Sequence, residues 1–133
     1  MIQRFQVGVK AVITRGNRML TVQHQEGFWD VPGGRIDGDE TPDETLRREI
    51  AEELPAATNI RIGRRLGEAR IPEVEFPDGS RLLLLYREVF ATVPPGLSDE
   101  HTASRWVTPG EAMTMGAVVA TAARLITEAG SDV

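Results

Sequence analysis

The sequence has no cysteine among its 133 residues. Disulfide bonds, zinc–thiolate sites and thiol nucleophiles are therefore excluded. It also lacks any apolar run approaching the roughly 18 residues of a membrane span. Met1 to Gln6 carry no long apolar stretch typical of a signal peptide. These absences predict a cytoplasmic protein without a membrane partner.

Positive charge is scarce, with a net charge of −5 and a single lysine, Lys10, among 15 basic residues. Such a chain is not expected to be a dedicated nucleic-acid binder, because neutralisation of phosphates drives that binding. A small anionic ligand is compatible with this balance if a metal ion supplies positive charge locally. The arginines are scattered along the sequence, so we interpret their excess as compositional bias.

The remaining composition is that of an ordinary globular protein. Hydrophobic residues make up 41% of the chain and charged residues 26%, which argues against disorder. A length of 133 residues suits one domain with its own core. No repeat, low-complexity segment or linker divides the sequence. We therefore expect a single domain over residues 1–133.

Hydrophobic periodicity and turn residues predict a mixed sheet with helices on its faces, an α+β fold. One helix is expected in the middle of the chain and another over residues 118–129, ended by Gly130. The predicted strand over residues 82–90 is largely apolar and is expected at the centre of the sheet, covered on both faces. The predicted strands are residues 5–15, 18–25, 60–70, 82–90 and 104–107.

The middle helix has the clearest local signals. Thr41 and Glu44 have capping-box spacing, and Pro42 occupies the first helical position. Pro55 predicts that the helix stops at about Leu54. Apolar residues at four-residue spacing predict that one face of this helix packs on the core.

Glu49, Glu52 and Glu53 lie near the end of this helix, within one arc of about 100° on a helical wheel. The arc flanks the apolar stripe, so we expect partly shielded carboxylates. Mg²⁺ prefers carboxylate oxygens together with substrate phosphates. Gly34, just before the helix, has no side chain and could turn its carbonyl toward the same ion. The residues therefore indicate a metal-assisted reaction at a phosphate ester or anhydride.

The segment from Gly34 to Glu53 resembles the Nudix box, the sequence signature of a hydrolase family. Gly34 is followed after five residues by Glu40, and after seven more by the run Arg48-Glu49-Ile50-Ala51-Glu52-Glu53. The preceding Trp29-Asp30-Val31-Pro32-Gly33-Gly34 is also similar to the family. The resemblance covers essentially the whole chain, although only the box itself is specific.

The resemblance implies an α/β/α sandwich around a mixed sheet. It also implies a reaction in which water attacks a phosphorus of a nucleoside diphosphate linked to another group. The implied cofactor is Mg²⁺, with Mn²⁺ able to substitute. The implied metal ligands are the carbonyl of Gly34 and the carboxylates of Glu49, Glu52 and Glu53.

Further roles follow from the same resemblance. Arg48 is implied to orient Glu49, and Glu40 to support the box from the start of the helix. The catalytic base differs among family members, and Glu49 and Glu100 are the two candidates in this chain. Arg48, Glu49 and Glu100 thus form the expected catalytic set.

Substrate contacts are less well specified by the sequence. Arg35 follows the glycine pair and could touch a phosphate. Phe28 and Trp29 could stack on a base, and packing beside the glycine pair is the alternative. A small nucleotide is the expected partner, and both a monomer and a homodimer stay open, as does the identity of the nucleotide.

One position departs from the family pattern, since Pro55 stands where the box usually has glycine. Proline cannot adopt the left-handed conformation in which such a glycine ends a helix, so a different exit from the helix is expected. A Nudix-like sensor that binds nucleotides without hydrolysing them is the alternative function. The intact set of box glutamates favours the enzyme. A family isomerase would call for a catalytic cysteine, which is absent.

Overall fold

A computed structural model describes residues 1–94 and 101–130, without the side chains of residues 101 and 102. The two longer helices lie on opposite faces of a mixed sheet. The strands are β1 (Phe5–Arg15), β2 (Arg18–His24), β3 (Trp29–Asp30), β4 (Gly33–Arg35), β5 (Thr58–Glu75), β6 (Arg81–Thr92) and β7 (His101–Val107). The helices are α1 (Pro42–Glu53), α2 (Pro109–Ala112) and α3 (Ala117–Ala129).

The sheet is built around β1. This strand pairs in parallel with β6, from Phe5 opposite Arg81 to Ile13 opposite Val89. It pairs antiparallel with β4 and with β2. Strand β5 flanks β6 on the other side, and β2 pairs with both β3 and β7. The position of β6 between β1 and β5 confirms the central strand that its apolar sequence predicted.

Each face of the sheet carries one helix and one hydrophobic core. Helix α1 buries Leu46, Ile50 and Leu54 with residues of β1, β2 and β6. Helix α3 buries Val119 and Ala122 in a second cluster on the other face. The observed fold is therefore the α+β architecture expected from the sequence.

The capping box at the start of α1 is formed as predicted. Thr41 Oγ1 accepts a hydrogen bond from Glu44 N over 3.2 Å, and Glu44 Oε1 accepts one from Thr41 N over 3.0 Å. The helix ends at Glu53, and Leu54 caps it with φ −126° and ψ 67°. The amide of Ala57 then donates to Leu54 O over 2.9 Å, so a turn through Pro55 takes the place of a left-handed glycine.

Some elements are longer or more regular than the sequence indicated. The glycine pair, outside the predicted strands, lies in β4 and pairs with β1. Strand β5 extends beyond residues 60–70 because its pairing with β6 continues through several register shifts. Strand β7 begins at His101, before the expected start at residue 104. Within the described residues, no helix is long and apolar enough to cross a membrane.

Candidate functional site

The glycine pair meets the last turn of α1. Pairing of β4 with β1 sets Gly33 opposite Lys10 and Gly34 opposite Val9. Gly33 adopts φ +145°, and a β-carbon there would overlap the backbone carbonyl of Val9. Only glycine allows this approach of β4 to β1, and the approach brings the backbone of β4 within reach of the helix.

Glu53 turns its carboxylate into this junction. Its Oε2 atom accepts a hydrogen bond from Gly33 N over 2.8 Å, and the residue is only 5% exposed. Burial raises the pKa of Glu53 to about 8, although the nearby charge of Lys10 and the Gly33 amide oppose the shift. The negative charge of Glu49 adds to it. A carboxylate in this environment gains strongly from a neighbouring cation.

Glu49 lies against the second glycine. A β-carbon at Gly34 would overlap the carboxyl group of Glu49, so the absence of a side chain at Gly34 makes the space for that carboxylate. Burial raises the pKa of Glu49, against the opposing effect of Arg48. Arg48 Nη1 donates to Glu49 Oε1 over 2.8 Å. Glu49 and Glu53 therefore both reach the backbone of β4.

Glu52 differs from the other two glutamates. Its side chain is 52% exposed, and its Oε1 atom lies 3.5 Å from Arg48 Nη1. The expectation of partly shielded carboxylates thus holds for Glu49 and Glu53, whereas Glu52 lies at the solvent side of the helix. Because α1 is an ordinary helix here, a change of side-chain rotamer is what would turn Glu52 toward the other two.

Arg48 and Glu40 form a hydrogen-bonded pair next to these carboxylates. Glu40 Oε2 accepts from Arg48 Nε over 2.7 Å, and Glu40 Oε1 accepts from Arg48 Nη2 over 2.9 Å. These bonds lead the interactions that lower the pKa of Glu40 to about 2, with smaller help from Asp37 N and Thr45 Oγ1. Such a two-bonded arginine–carboxylate pair fixes the guanidinium plane. The same plane then presents Nη1 to Glu49.

The donor atoms at this junction suit a hard divalent cation. They are carboxylate oxygens beside a backbone that carries no side chain at Gly34, and one carboxylate is buried with a raised pKa. Within residues 1–94 and 101–130, no three acidic or histidine side chains already converge in a ligating arrangement. Glu52, which lies at the solvent side of the helix 3.5 Å from Arg48 Nη1, does not converge with Glu49 and Glu53.

The other candidate residues have varied positions. Arg35 donates from Nη1 to Gln6 Oε1 and lies over the ring of Phe76. Phe28 is 51% exposed and stacks on His24 with ring centroids 4.1 Å apart. Trp29 packs against the core under α3, which favours packing over base stacking for this residue. The predicted base Glu100 lies outside the described residues.

Sequence reasoning missed Lys10 and Asp30. Both are buried, and Lys10 Nζ lies 2.9 Å from Asp30 Oδ2. Lys10 also contributes to the charge environment of Glu49 and Glu53. The available signal was a lysine within an otherwise apolar strand, since such a side chain is buried only when it is paired.

Comparisons with known proteins agree with this architecture. The family described as NUDIX domain matches residues 4–128. A protein named putative 8-oxo-dGTP diphosphatase 2 from Mycobacterium tuberculosis is 32% identical over 112 residues, covering 80% of this chain and 75% of the relative. A MutT-like protein from Streptomyces ambofaciens is 32% identical over 111 residues, covering 79% and 65%.

Solved structures share the fold at lower sequence identity. A MutT protein from Methanosarcina mazei Go1 superposes with a TM-score of 0.79 at 21% identity, covering 98% of this chain and 99% of that one. An ADP-ribose pyrophosphatase from Streptococcus suis superposes with a TM-score of 0.70 at 19% identity, covering 96% and 94%. These likenesses concern the fold alone.

Proposed function

This chain belongs to the Nudix family, and on that premise we propose that it is a Mg²⁺-dependent hydrolase of a small nucleoside di- or triphosphate derivative. The observation that carries the proposal is the junction of Gly33 and Gly34 with Glu49 and Glu53. At this junction two shielded carboxylates lie beside the backbone of β4. Their oxygens suit a hard cation that also binds the phosphates of a substrate.

The metal ligands in this proposal are the Gly34 carbonyl, Glu49, Glu52 and Glu53, and Mn²⁺ would fit the same oxygens. A bound divalent cation supplies charge for the phosphates and lowers the pKa of a water molecule. Glu53 keeps its place through the Gly33 amide. Glu52 has to turn inward from its solvent-side position.

The protein's own groups would position the reactants. Arg48, held by Glu40, orients Glu49 through a hydrogen bond of 2.8 Å. Glu49 is the proposed base that takes the proton from the attacking water, and Glu100 is the second candidate. A general base has to be held in a fixed position relative to the proton that it takes, and the hydrogen bond from Arg48 Nη1 fixes the carboxylate of Glu49.

The substrate class is proposed from the relatives. Relatives from three species, Mycobacterium tuberculosis, Proteus vulgaris and Bacillus subtilis, carry names that include 8-oxo-dGTP diphosphatase. A nucleoside triphosphate with an oxidised purine is therefore the leading substrate, ahead of nucleotide sugars and dinucleotides.

The test is a substrate panel with product analysis by mass spectrometry. Oxidised and ordinary nucleoside triphosphates, nucleotide sugars and dinucleotides are incubated with Mg²⁺ and then with chelator. We expect Mg²⁺-dependent cleavage of at least one compound, most rapidly of an oxidised triphosphate. If a folded, metal-saturated protein binds nucleotides and cleaves none of them, the sensor alternative replaces the enzyme.

The ligand assignment is tested separately by Glu53→Gln. This change keeps the size of the side chain and removes its charge, and we expect at least a tenfold loss of turnover. Glu128→Gln, on the exposed end of α3, is the matched control and should keep wild-type activity. Activity of Glu53→Gln within about threefold of wild type corresponds to less than one kcal/mol of barrier and would refute the assignment.

A further inference from the structure

Asp30 is a buried carboxylate that the proposed reaction does not use. It lies just before the segment that leads into the glycine pair. Its Oδ1 atom accepts from Val31 N over 2.7 Å, and its Oδ2 atom accepts from Lys10 Nζ over 2.9 Å. His24 Nε2 lies 3.1 Å from the same Oδ2 atom. One carboxylate thus joins β1, β2 and the start of the segment.

The same segment is attached to β1 at further points. Ala11 N donates to Pro32 O over 2.7 Å, and Gly33 lies opposite Lys10 in the pairing of β4 with β1. Lys10 Cδ lies 3.0 Å from the position that a β-carbon at Gly33 would take. The position of Gly33, whose amide holds Glu53, therefore depends on how this segment is fixed to β1.

We propose that Asp30 is a positioning residue for the metal-binding junction, because its two carboxylate oxygens tie the segment that leads into Gly33 and Gly34 to Lys10 and His24. This inference rests on the proposed metal site. It adds residues that lie outside the family's signature segment and that would act through the backbone leading into Gly33.

A stability role alone does not account for this arrangement. Burying an ion pair costs solvation free energy that the attraction between the charges often only offsets, so apolar replacements are frequently as stable. The hydrogen bonds of Asp30, by contrast, require a carboxylate at this position. Both oxygens of Asp30 are occupied, whereas an asparagine has only one oxygen and could satisfy Val31 or Lys10 but not both.

The experiment compares Asp30→Asn with Glu88→Gln. Glu88 is a matched control because its two oxygens accept from Arg64 Nε and Nη2 over 2.8 and 3.2 Å, next to the end of α3. Its side chain is 12% exposed, close to the 13% of Asp30. Both substitutions disturb the ion pair of a mostly buried carboxylate, but only Asp30 lies beside the glycine pair.

Mn²⁺ binding to each folded variant is measured by titration calorimetry and by electron paramagnetic resonance. We expect Asp30→Asn to weaken binding about 10- to 100-fold, the usual effect of removing an outer support of a metal site. Glu88→Gln should bind within about twofold of wild type, even where it unfolds at a lower temperature. Equal affinities of wild type and Asp30→Asn, or equal losses in both variants, would overturn the inference.

Amide hydrogen exchange, measured in the presence of a chelator, tests the positioning role of Asp30 without metal. We expect the amides of Val31 and Gly33 to exchange more than tenfold faster in Asp30→Asn, with those of β5 unchanged. If wild type binds no Mn²⁺, the proposed function fails, and the exchange rates still decide the positioning role of Asp30. Unchanged exchange at Gly33 contradicts that role.

The double variant Lys10→Met with Asp30→Asn keeps the inference testable if Asp30→Asn alone does not fold. It removes both charges of the Lys10–Asp30 pair together, so neither is left buried without the other, and the introduced asparagine keeps an oxygen acceptor for Val31. We expect it to fold and still bind Mn²⁺ at least fivefold more weakly than wild type, because the link between Asp30 and β1 is gone. Wild-type affinity in this variant would show that the link has no positioning role.

Discussion

Gly34 and Glu49 share one space: the carboxyl group of Glu49 occupies the position that a β-carbon at Gly34 would fill. The overlap involves the far end of a flexible side chain, so the fold can accommodate a methyl group by moving Glu49. We therefore expect Gly34→Ala to keep its stability within about 1 kcal/mol. Its turnover and Mn²⁺ affinity should fall at least tenfold.

Gly33→Ala is the informative contrast, because there the overlap is with the backbone carbonyl of Val9 and the φ of +145° disfavours any side chain. We expect this variant to lose several kcal/mol of stability or fail to fold, a range that backbone strain can reach. Urea unfolding and activity, measured side by side, separate the two glycines. A Gly34→Ala enzyme with full activity would mean that the position of Glu49 is unimportant.

Glu40 is expected to make the stability of the folded protein depend on pH. Hydrogen bonds from Arg48 lead the effects that lower its pKa from 4.5 to about 2 in the folded state. A group with a lowered folded pKa stabilises the protein above its unfolded pKa, and this contribution is lost as pH falls from about 4.5 toward 2. We expect wild type to be more stable than Glu40→Gln at pH 7, with the difference shrinking below pH 4.5.

Urea unfolding of both proteins between pH 7 and pH 3 checks this expectation. Glu26→Gln changes an exposed carboxylate in the turn after β2 and serves as the control, with little effect at any pH. A difference between wild type and Glu40→Gln that grows on acidification would contradict the sign of the shift.

Arg87 is a mostly buried link between the start of α1 and the sheet. Its Nη1 atom donates to Asp43 Oδ1 over 2.6 Å, and its Nη2 atom donates to Gly63 O over 2.9 Å. Arg87→Met keeps the stem and leaves the Gly63 carbonyl without this donor, so we expect a loss of about 1–3 kcal/mol. Arg124→Met, which removes an exposed pair with Glu128, should cost below about 0.5 kcal/mol.

Thermal and urea unfolding measure both substitutions. Equal losses in the two variants would show that the contacts of Arg87 carry no more stability than a surface ion pair. Unlike the variants at the glycine pair, Arg87→Met should bind Mn²⁺ normally wherever it is folded.

Pro55 ends α1 and restricts the unfolded chain. Proline in a compatible turn stabilises a protein mainly by reducing the conformational entropy of the unfolded state. We expect Pro55→Gly to lower stability by about 0.4–1 kcal/mol and to leave turnover unchanged, since the contacts described at the junction do not involve this residue. Higher stability of Pro55→Gly would indicate that proline is strained at the helix exit.

The sequence predicted α1 to within a residue because its limits are set locally, by Thr41 and Glu44 at one end and Pro55 at the other. The same information could not decide how deeply each glutamate is buried. Glu53 lies nearer than Glu52 to the apolar stripe on the helical wheel, but its enclosure also requires the approach of Gly33. Burial here depends on a strand that lies 20 residues earlier in the chain.

The partnership of Lys10 and Asp30 was beyond prediction for a related reason. A lysine in an apolar strand signals a buried pair but does not identify its partner, because the contact follows from the register of β4 and β3 along β1 and β2. The strand formed by the glycine pair was likewise not predicted, because its pairing with β1 is a long-range interaction that local signals do not record.

The parallel pairing of β1 with β6 has a consequence for the order of synthesis. Phe5 pairs with Arg81 and Ile13 with Val89, so the strand that supports the glycine pair stays without one of its neighbours until β6 has been made. Closing so long a loop is entropically slow. The segment that holds the carboxylates is therefore translated well before its support is complete, and a ribosome-bound chain ending shortly after Glu53 should not yet bind metal like the finished protein.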